Sequence, residues 1–186
     1  MQRILLVEDD SSIVRSLTAF LAEEGFSAAA LVNTSEIEFN PIFLQFCAEN
    51  LCGNYGTNYT CPPDCGTPEE MRAHILAYPR ALVMQTKWDI TDYTDRAAIS
   101  HAKKSHNEGM FRVIERMGVP GAMAGASNCK LCDRCLRIDG LPCRFPEKRY
   151  SCMSAYCINV RALAERCGME YACSDGRLAF FGLYAF

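Results

Sequence analysis

The sequence predicts an α/β or α+β fold, a sheet-and-helix sandwich carrying two cysteine-rich metal-binding loops. Three observations lead there. Short apolar runs suited to buried strands alternate with stretches of helical periodicity through most of the 186 residues. Two segments dense in Gly, Asn, Pro and Cys interrupt that alternation as loops. An apolar content of 49% is enough to bury a core, which excludes a disordered chain.

The elements follow in chain order. Residues 4–7 (ILLV) are an apolar run suited to a buried strand, followed by Glu8, Asp9 and Asp10. Ser11 and Ser12 are N-cap candidates for a helix carrying Ile13, Leu17, Phe20 and Leu21, and Gly25 stops it. Residues 28–32 make a second strand, 40–50 a helix and 51–66 the first loop. Thr67 caps a helix with Pro68 at its first position and Glu69 and Glu70 in its first turn. Residues 80–88 read as a strand, 94–117 as a long helix, 121–127 as a small buried strand and 128–150 as the second loop. A helix over 154–166 comes next. Residues 169–173 and 178–186 flank Ser174, Asp175 and Gly176, which predicts a hairpin. Trp88, Tyr93, Phe180, Phe181, Tyr184 and Phe186 read as core.

With Lys+Arg 19 against Asp+Glu 22, the formal charge is −3. The basic pairs Lys103-Lys104 and Lys148-Arg149 are too short for a nucleic-acid footprint, so no nucleic-acid partner is expected. The longest apolar run, 178–186, is about half of what a membrane span needs, and no membrane partner is expected. Residues 1–10 lack the pattern of a secretory signal, so the expected location is cytoplasmic. Thiols stay reduced there, and the 12 cysteines read as metal ligands or redox groups before disulfides.

The second loop carries the stronger pattern. Cys129, Cys132 and Cys135 are spaced by two residues, and Cys143 follows after seven, with Pro146 close behind. Three closely spaced thiolates wrap one face of a [4Fe–4S] cubane and a more distant Cys closes the site. Structural zinc favours two separated pairs, so zinc is the alternative. In the first loop, Cys47, Cys52, Cys61 and Cys65 fall within 19 residues, interleaved with Gly53, Asn54, Tyr55, Gly56 and Asn58. These residues allow unusual backbone angles and leave amides free to point at sulfur. They predict a second metal site. Cys152, Cys157, Cys167 and Cys173 read as buried packing thiols, with Cys152 an alternative ligand for the second loop. His74, His101 and His106 read as core or solvated side chains. Arg144 reads either as a positive neighbour of a reduced cluster or as a surface ion pair.

Two resemblances meet in the chain. Residues 1–27, with ILLVEDDSSIVRSLTAFLAEEGF, resemble the start of a response-regulator receiver domain, in which the acids matching Glu8 and Asp9 bind magnesium. The phosphoacceptor Asp and the Lys-Pro pair of that family are missing here, so no phosphorylation switch is expected. From about residue 29 to 186, the segments SEIEFNPIF, CGNYGTNYTCPP, GASNCKLCDRC and PCRFPEKR resemble the domain-of-unknown-function 2284 family of predicted metal-binding proteins. That resemblance implies a cysteine-ligated centre. Where the family pattern has Pro-Ser-Met-Glu-Ala-x-Gly-Ile, this chain has residues 151–158 as SCMSAYCI, which puts Cys152 and Cys157 in place of a Ser and a Gly.

The organisation expected is a receiver-like strand–helix segment over 1–28, not a functional receiver, and a cysteine-rich metal-binding domain over 29–186. The function expected is metal binding, with one or two [4Fe–4S] clusters serving electron transfer or redox sensing with an unidentified redox partner protein. A zinc-stabilised interaction module and a cluster-dependent enzyme of unknown reaction are the alternatives. No paired carboxylates, nucleophile elbow or phosphate loop points to catalytic residues.

Overall fold

The computed structural model describes residues 3–5 and 11–186. Glu8 and Asp9 lie outside these residues. The strands are β1 (Arg3–Leu5), β2 (Ala28–Asn33), β3 (Arg80–Trp88), β4 (Ala122–Gly125), β5 (Ser151–Cys152) and β6 (Leu178–Ala185); the helices are α1 (Ser11–Glu23), α2 (Leu44–Ala48), α3 (Pro68–Leu76), α4 (Arg96–Met117) and α5 (Val160–Arg166). The strands form one six-stranded sheet in the order β1-β2-β3-β6-β4-β5. Its two outer pairs are parallel and its inner pairs antiparallel. The mixed sheet makes the fold α+β.

Alternation along β3 explains the layering. Ala81 and Val83 join a core cluster with Met71 and Ile75 of α3 and Leu163 of α5. Leu82 and Met84, one residue out of phase, join a second cluster with Leu21 of α1 and Met110 and Val113 of α4. Side chains two apart share a sheet face, so α3 and α5 cover one face and α1 and α4 the other. Because both faces are covered, residues 81–86 are buried without interruption. This is why the run reads as continuous rather than alternating.

Local chemistry sets the element ends. Phe26 N–H donates to the Leu21 carbonyl and Gly25 N–H to that of Ala22, with Gly25 at φ 84, a paired-bond close to α1 that needs a left-handed residue. The Thr67 hydroxyl accepts from Glu70 N–H while the Glu70 carboxylate accepts from Thr67 N–H, starting α3 where the sequence predicts. The Asp95 side chain caps α4 by accepting from Ala98 N–H.

Four expectations need correction. Residues 169–173 form no strand; β6 instead pairs along its length with β3 and at its far end with β4. The run LAFFGLYA has two apolar faces and so suits an interior strand better than a hairpin arm. The helix predicted over 154–166 is confined to α5, because the chain turns at Cys157 in the left-handed region (φ 58) and Asn159 then caps the new start. The helix over 40–50 is broken into a 3-10 turn at Pro41–Phe43 and the short α2. Tyr93, read as core, is 62% exposed.

One glycine is dictated by close approach. A Cβ on Gly121 would lie 2.1 Å from the backbone oxygen of Ala185, which sits in the β4–β6 ladder and has no freedom to yield. Gly121→Ala is therefore expected to cost about 1–3 kcal/mol through forced backbone movement, read as a lowered denaturation midpoint at an unchanged slope.

Candidate metal centre

The two cysteine-rich loops are connections that the sheet brings side by side. In the first, Gly53 (φ 70) and Gly56 (φ 68) let the chain fold back on itself. The Asn50 side chain accepts from Tyr55 N–H, and Gly56 N–H donates to the Pro62 carbonyl. Cys47 lies on α2, Cys52 is exposed, Cys61 is buried and Cys65 is half-buried. Cys61 N–H bonds to the Asn58 carbonyl and Cys65 N–H to that of Cys61, so both thiols are carried on one tight turn.

In the second loop, Cys129, Cys132, Cys135 and Cys143 are all half-buried. Burial raises the Cys129 thiol, and the backbone at Leu131 and Tyr150 acts in the opposite direction. Cys143 and Cys132 stand within electrostatic reach of it. Cys135 begins the 3-10 turn Leu136–Asp139.

Polar side chains lace the two loops together around Cys129. The Asn58 amide donates to the Cys129 carbonyl at 3.3 Å, and Cys129 N–H donates to the Thr60 hydroxyl at 3.1 Å. That hydroxyl in turn donates to Asn58 Oδ1 at 2.7 Å. Asn128 donates to Asn54 Oδ1, the Tyr59 hydroxyl to the Leu141 carbonyl, and Arg137 pairs with Asp64 at 2.8 Å. Asn58, Thr60 and Asn128 are buried, where a hydrogen bond left unmade is costly. The loops therefore behave as one unit.

Behind Cys129, Asn107 of α4 braces the segment that leads into it. Its side-chain oxygen accepts from Ala126 N–H, and its amide donates to Ser127 Oγ and to the Tyr150 hydroxyl. The Tyr150 hydroxyl also accepts from Lys130 N–H. Gly125 leaves the room this requires, since a Cβ there would lie 2.7 Å from Asn107 Oδ1.

The first-loop thiols crowd one another. Burial, then neighbouring thiols, push Cys47 and Cys65 each up to about 11 and Cys61 further still. Cys61 feels Cys152, Cys52, Cys65 and Cys47. Cys152 lies on β5 and is half-buried. Cys167 and Cys173 have no such thiol neighbours among the causes acting on them. Among the described residues no three Cys, His, Asp or Glu donors are drawn into a ready-made ion cage.

The histidines stand apart. His106 is buried with Nδ1 at 2.8 Å from Thr86 Oγ1, His74 Nδ1 meets the Tyr156 hydroxyl at 3.0 Å, and His101 packs edge-on against Trp88. Arg144 is exposed. Among the described residues no helix is long and apolar enough to cross a membrane.

The donors gathered here are thiols, soft ligands suited to zinc, copper(I) and iron–sulfur clusters and ill suited to magnesium or calcium. Residues 30–184 match the family described as predicted metal-binding protein (DUF2284). The chain belongs to the DUF2284 family. No curated protein and no solved structure matches it. As a DUF2284 member it is a predicted metal-binding protein, and the contacts among Asn54, Asn58, Thr60, Asn128 and Cys129 give a physical role to the polar residues around its cysteines. Sequence reasoning missed Asn107 and Thr60; the only signal was Asn and Thr at positions that turn out buried.

Proposed function

We propose that this DUF2284 protein binds [4Fe–4S] clusters, one held by Cys129, Cys132, Cys135 and Cys143 and a second by the thiols of the first loop, and serves as a one-electron carrier or redox sensor in the cytoplasm. The observation that carries the reading is that Cys129, Cys132, Cys135 and Cys143, all half-buried, share one C-x2-C-x2-C-x7-C loop, which the buried Asn58 and Thr60 of the first loop bond at Cys129. Three closely spaced thiolates suit one face of a cubane, and a more distant fourth closes the site. When bound, such clusters would supply one-electron redox chemistry. The chain supplies the thiolates, on two loops joined by the buried Asn58, Thr60 and Asn128. The metal-binding domain spans 29–186, supported by a family match beginning at residue 30, with 1–28 as a strand–helix attachment.

Anaerobic expression and metal analysis test this. The expected result is a brown protein with matching iron and labile sulfide, bleached by dithionite, from which Cys132→Ser removes about four iron per chain. A colourless protein carrying stoichiometric zinc and no sulfide would overturn the cluster and establish a zinc-stabilised module. Iron content unchanged by Cys132→Ser would overturn the assignment of the second-loop set.

A further inference from the structure

We propose that the outer face of the second cysteine loop is a docking surface for an acidic protein partner. Residues 128–150 hold six Lys and Arg against three Asp and Glu, whereas the rest of the chain holds 13 against 19. The loop is therefore positive by three on a chain otherwise negative by six. Arg134 and Arg137 are engaged by Asp139 and Asp64. Lys130, Arg144, Lys148 and Arg149 are exposed and make no ion pair among the described residues. Set among these cations in sequence are Ile138 and Leu141, each 51% exposed, and Phe145, 44% exposed. Large apolar side chains clustered in water mark an interaction site, and Phe and Arg are enriched in protein interfaces.

The backbone beneath these side chains is held. Leu141 N–H donates to the Leu136 carbonyl, and the Leu141 carbonyl accepts from the Tyr59 hydroxyl at 2.7 Å. Arg137, on the same turn, is tied to Asp64 at 2.8 Å. Lys148 N–H donates to the Phe145 carbonyl, and Pro142 and Pro146 fix φ on either side of Arg144 and Phe145. A surface already ordered loses little entropy when covered. Its occupant follows from charge. Cations around an apolar centre match carboxylates around an apolar centre. A second copy paired about a two-fold axis would set this positive face on itself, like against like. A phosphate backbone or an anionic membrane is repelled by Asp133 and Glu147, exposed among the cations, whereas a folded protein can match both signs. Cys143 lies between Leu141 and Arg144, so a partner seated here meets the chain at the fourth second-loop cysteine. That the partner exchanges electrons there rests on the function proposed above; the surface itself rests on exposure and charge.

The test puts a photo-crosslinker, p-benzoylphenylalanine, in place of Phe145 in the full chain, expressed in its own host and irradiated there. The protein in the adduct is identified by mass spectrometry, purified and titrated against the full chain. The expected result is a protein adduct from position 145 and none from the same probe at the exposed Tyr93. Arg144→Glu and Phe145→Ala should each weaken the purified partner's binding about tenfold or more, Lys104→Ala should leave it unchanged, and added salt should weaken it. The substituted side chains are exposed, and wild-type circular dichroism is expected to show that the variants fold. Absence of a protein adduct at 145, an equal adduct at 93, or affinity indifferent to Arg144→Glu would overturn the proposal. So would an adduct joining two copies of this chain, or tighter binding of a single-stranded oligonucleotide or of phosphatidylserine vesicles than of the partner. Iron per chain on the same preparations reads the cluster separately. An adduct without iron would leave the docking face standing and overturn its redox role, and iron without an adduct would do the reverse.

Discussion

Asn107→Ala is expected to destabilise the protein by ~3 kcal/mol or more and to weaken metal retention at the second loop, although residue 107 is a helix residue 22 positions from Cys129 in sequence. The substitution removes three hydrogen bonds at once: the acceptor for Ala126 N–H and the donors to Ser127 Oγ and Tyr150 Oη. Asn107 is 2% exposed, so no water replaces it readily, and each partner left unpaired costs about 1–3 kcal/mol. A loss of that size should lower Tm by roughly 6–12 °C for a chain of this length. The effect on metal follows from position. Ala126 and Ser127 lead directly into Asn128 and Cys129, while the Tyr150 hydroxyl that Asn107 holds also accepts from Lys130 N–H, one residue past Cys129. Loosening both supports frees the backbone on either side of Cys129. Asn107→Asp should do no better, since both donations vanish and a charge is buried. Unfolding curves and iron per chain, compared with an exposed α4 control such as Lys104→Ala, give the check. A variant with wild-type Tm and iron would show that the brace is dispensable.

The parts of this fold legible in the sequence were those written in strong local chemistry. Thr67, Pro68 and Glu70 start α3, and the continuous apolar run 81–84 marks a strand covered on both faces. Where one residue overrode periodicity, reading failed. The stretch 154–166 looks helical, yet Cys157 occupies a left-handed position and breaks it. The hairpin failed because a turn sequence says nothing about partners: β6 finds β3, nearly a hundred residues upstream, since only the interior of the sheet buries both faces of Phe180, Phe181, Leu183 and Tyr184. The cysteine loops showed a similar split. Spacing within each loop is a local property and was readable. That Asn58 and Thr60 clamp Cys129 depends on pairings over more than 65 residues that no spacing rule encodes.

His106 is expected to make the protein acid-labile by a term that one substitution removes. It is fully buried on α4, with Nδ1 bonded to Thr86 Oγ1, which also accepts from Trp88 Nε1–H at 2.9 Å. Its Nε2 has no partner, and it faces Gly182, where even a methyl group would lie 3.0 Å away. Burial with nothing to receive a second N–H pushes its pKa down to about 3. The sign follows directly. Unfolded His titrates near 6.5, so above that pH both states are neutral and the linkage contributes nothing adverse. Below it the unfolded chain binds a proton that the folded chain refuses, and stability is lost as pH falls from about 6.5 toward the folded value. Each pH unit in that window costs ~1.4 kcal/mol, or roughly 2–3 kcal/mol between pH 6.5 and 4.5. Thiol protonation and metal loss also act in acid, so the informative quantity is the difference between wild type and His106→Gln at each pH. Gln keeps a polar group for Thr86 and cannot ionise. It should be less stable than wild type near pH 8, where a fitted imidazole has been lost, and should gain on it steadily below pH 6.5. Parallel stability profiles across that window would mean that His106 acquires its proton in the folded state, which requires an acceptor for Nε2–H that the closed approach of Gly182 and Met110 leaves no room to supply.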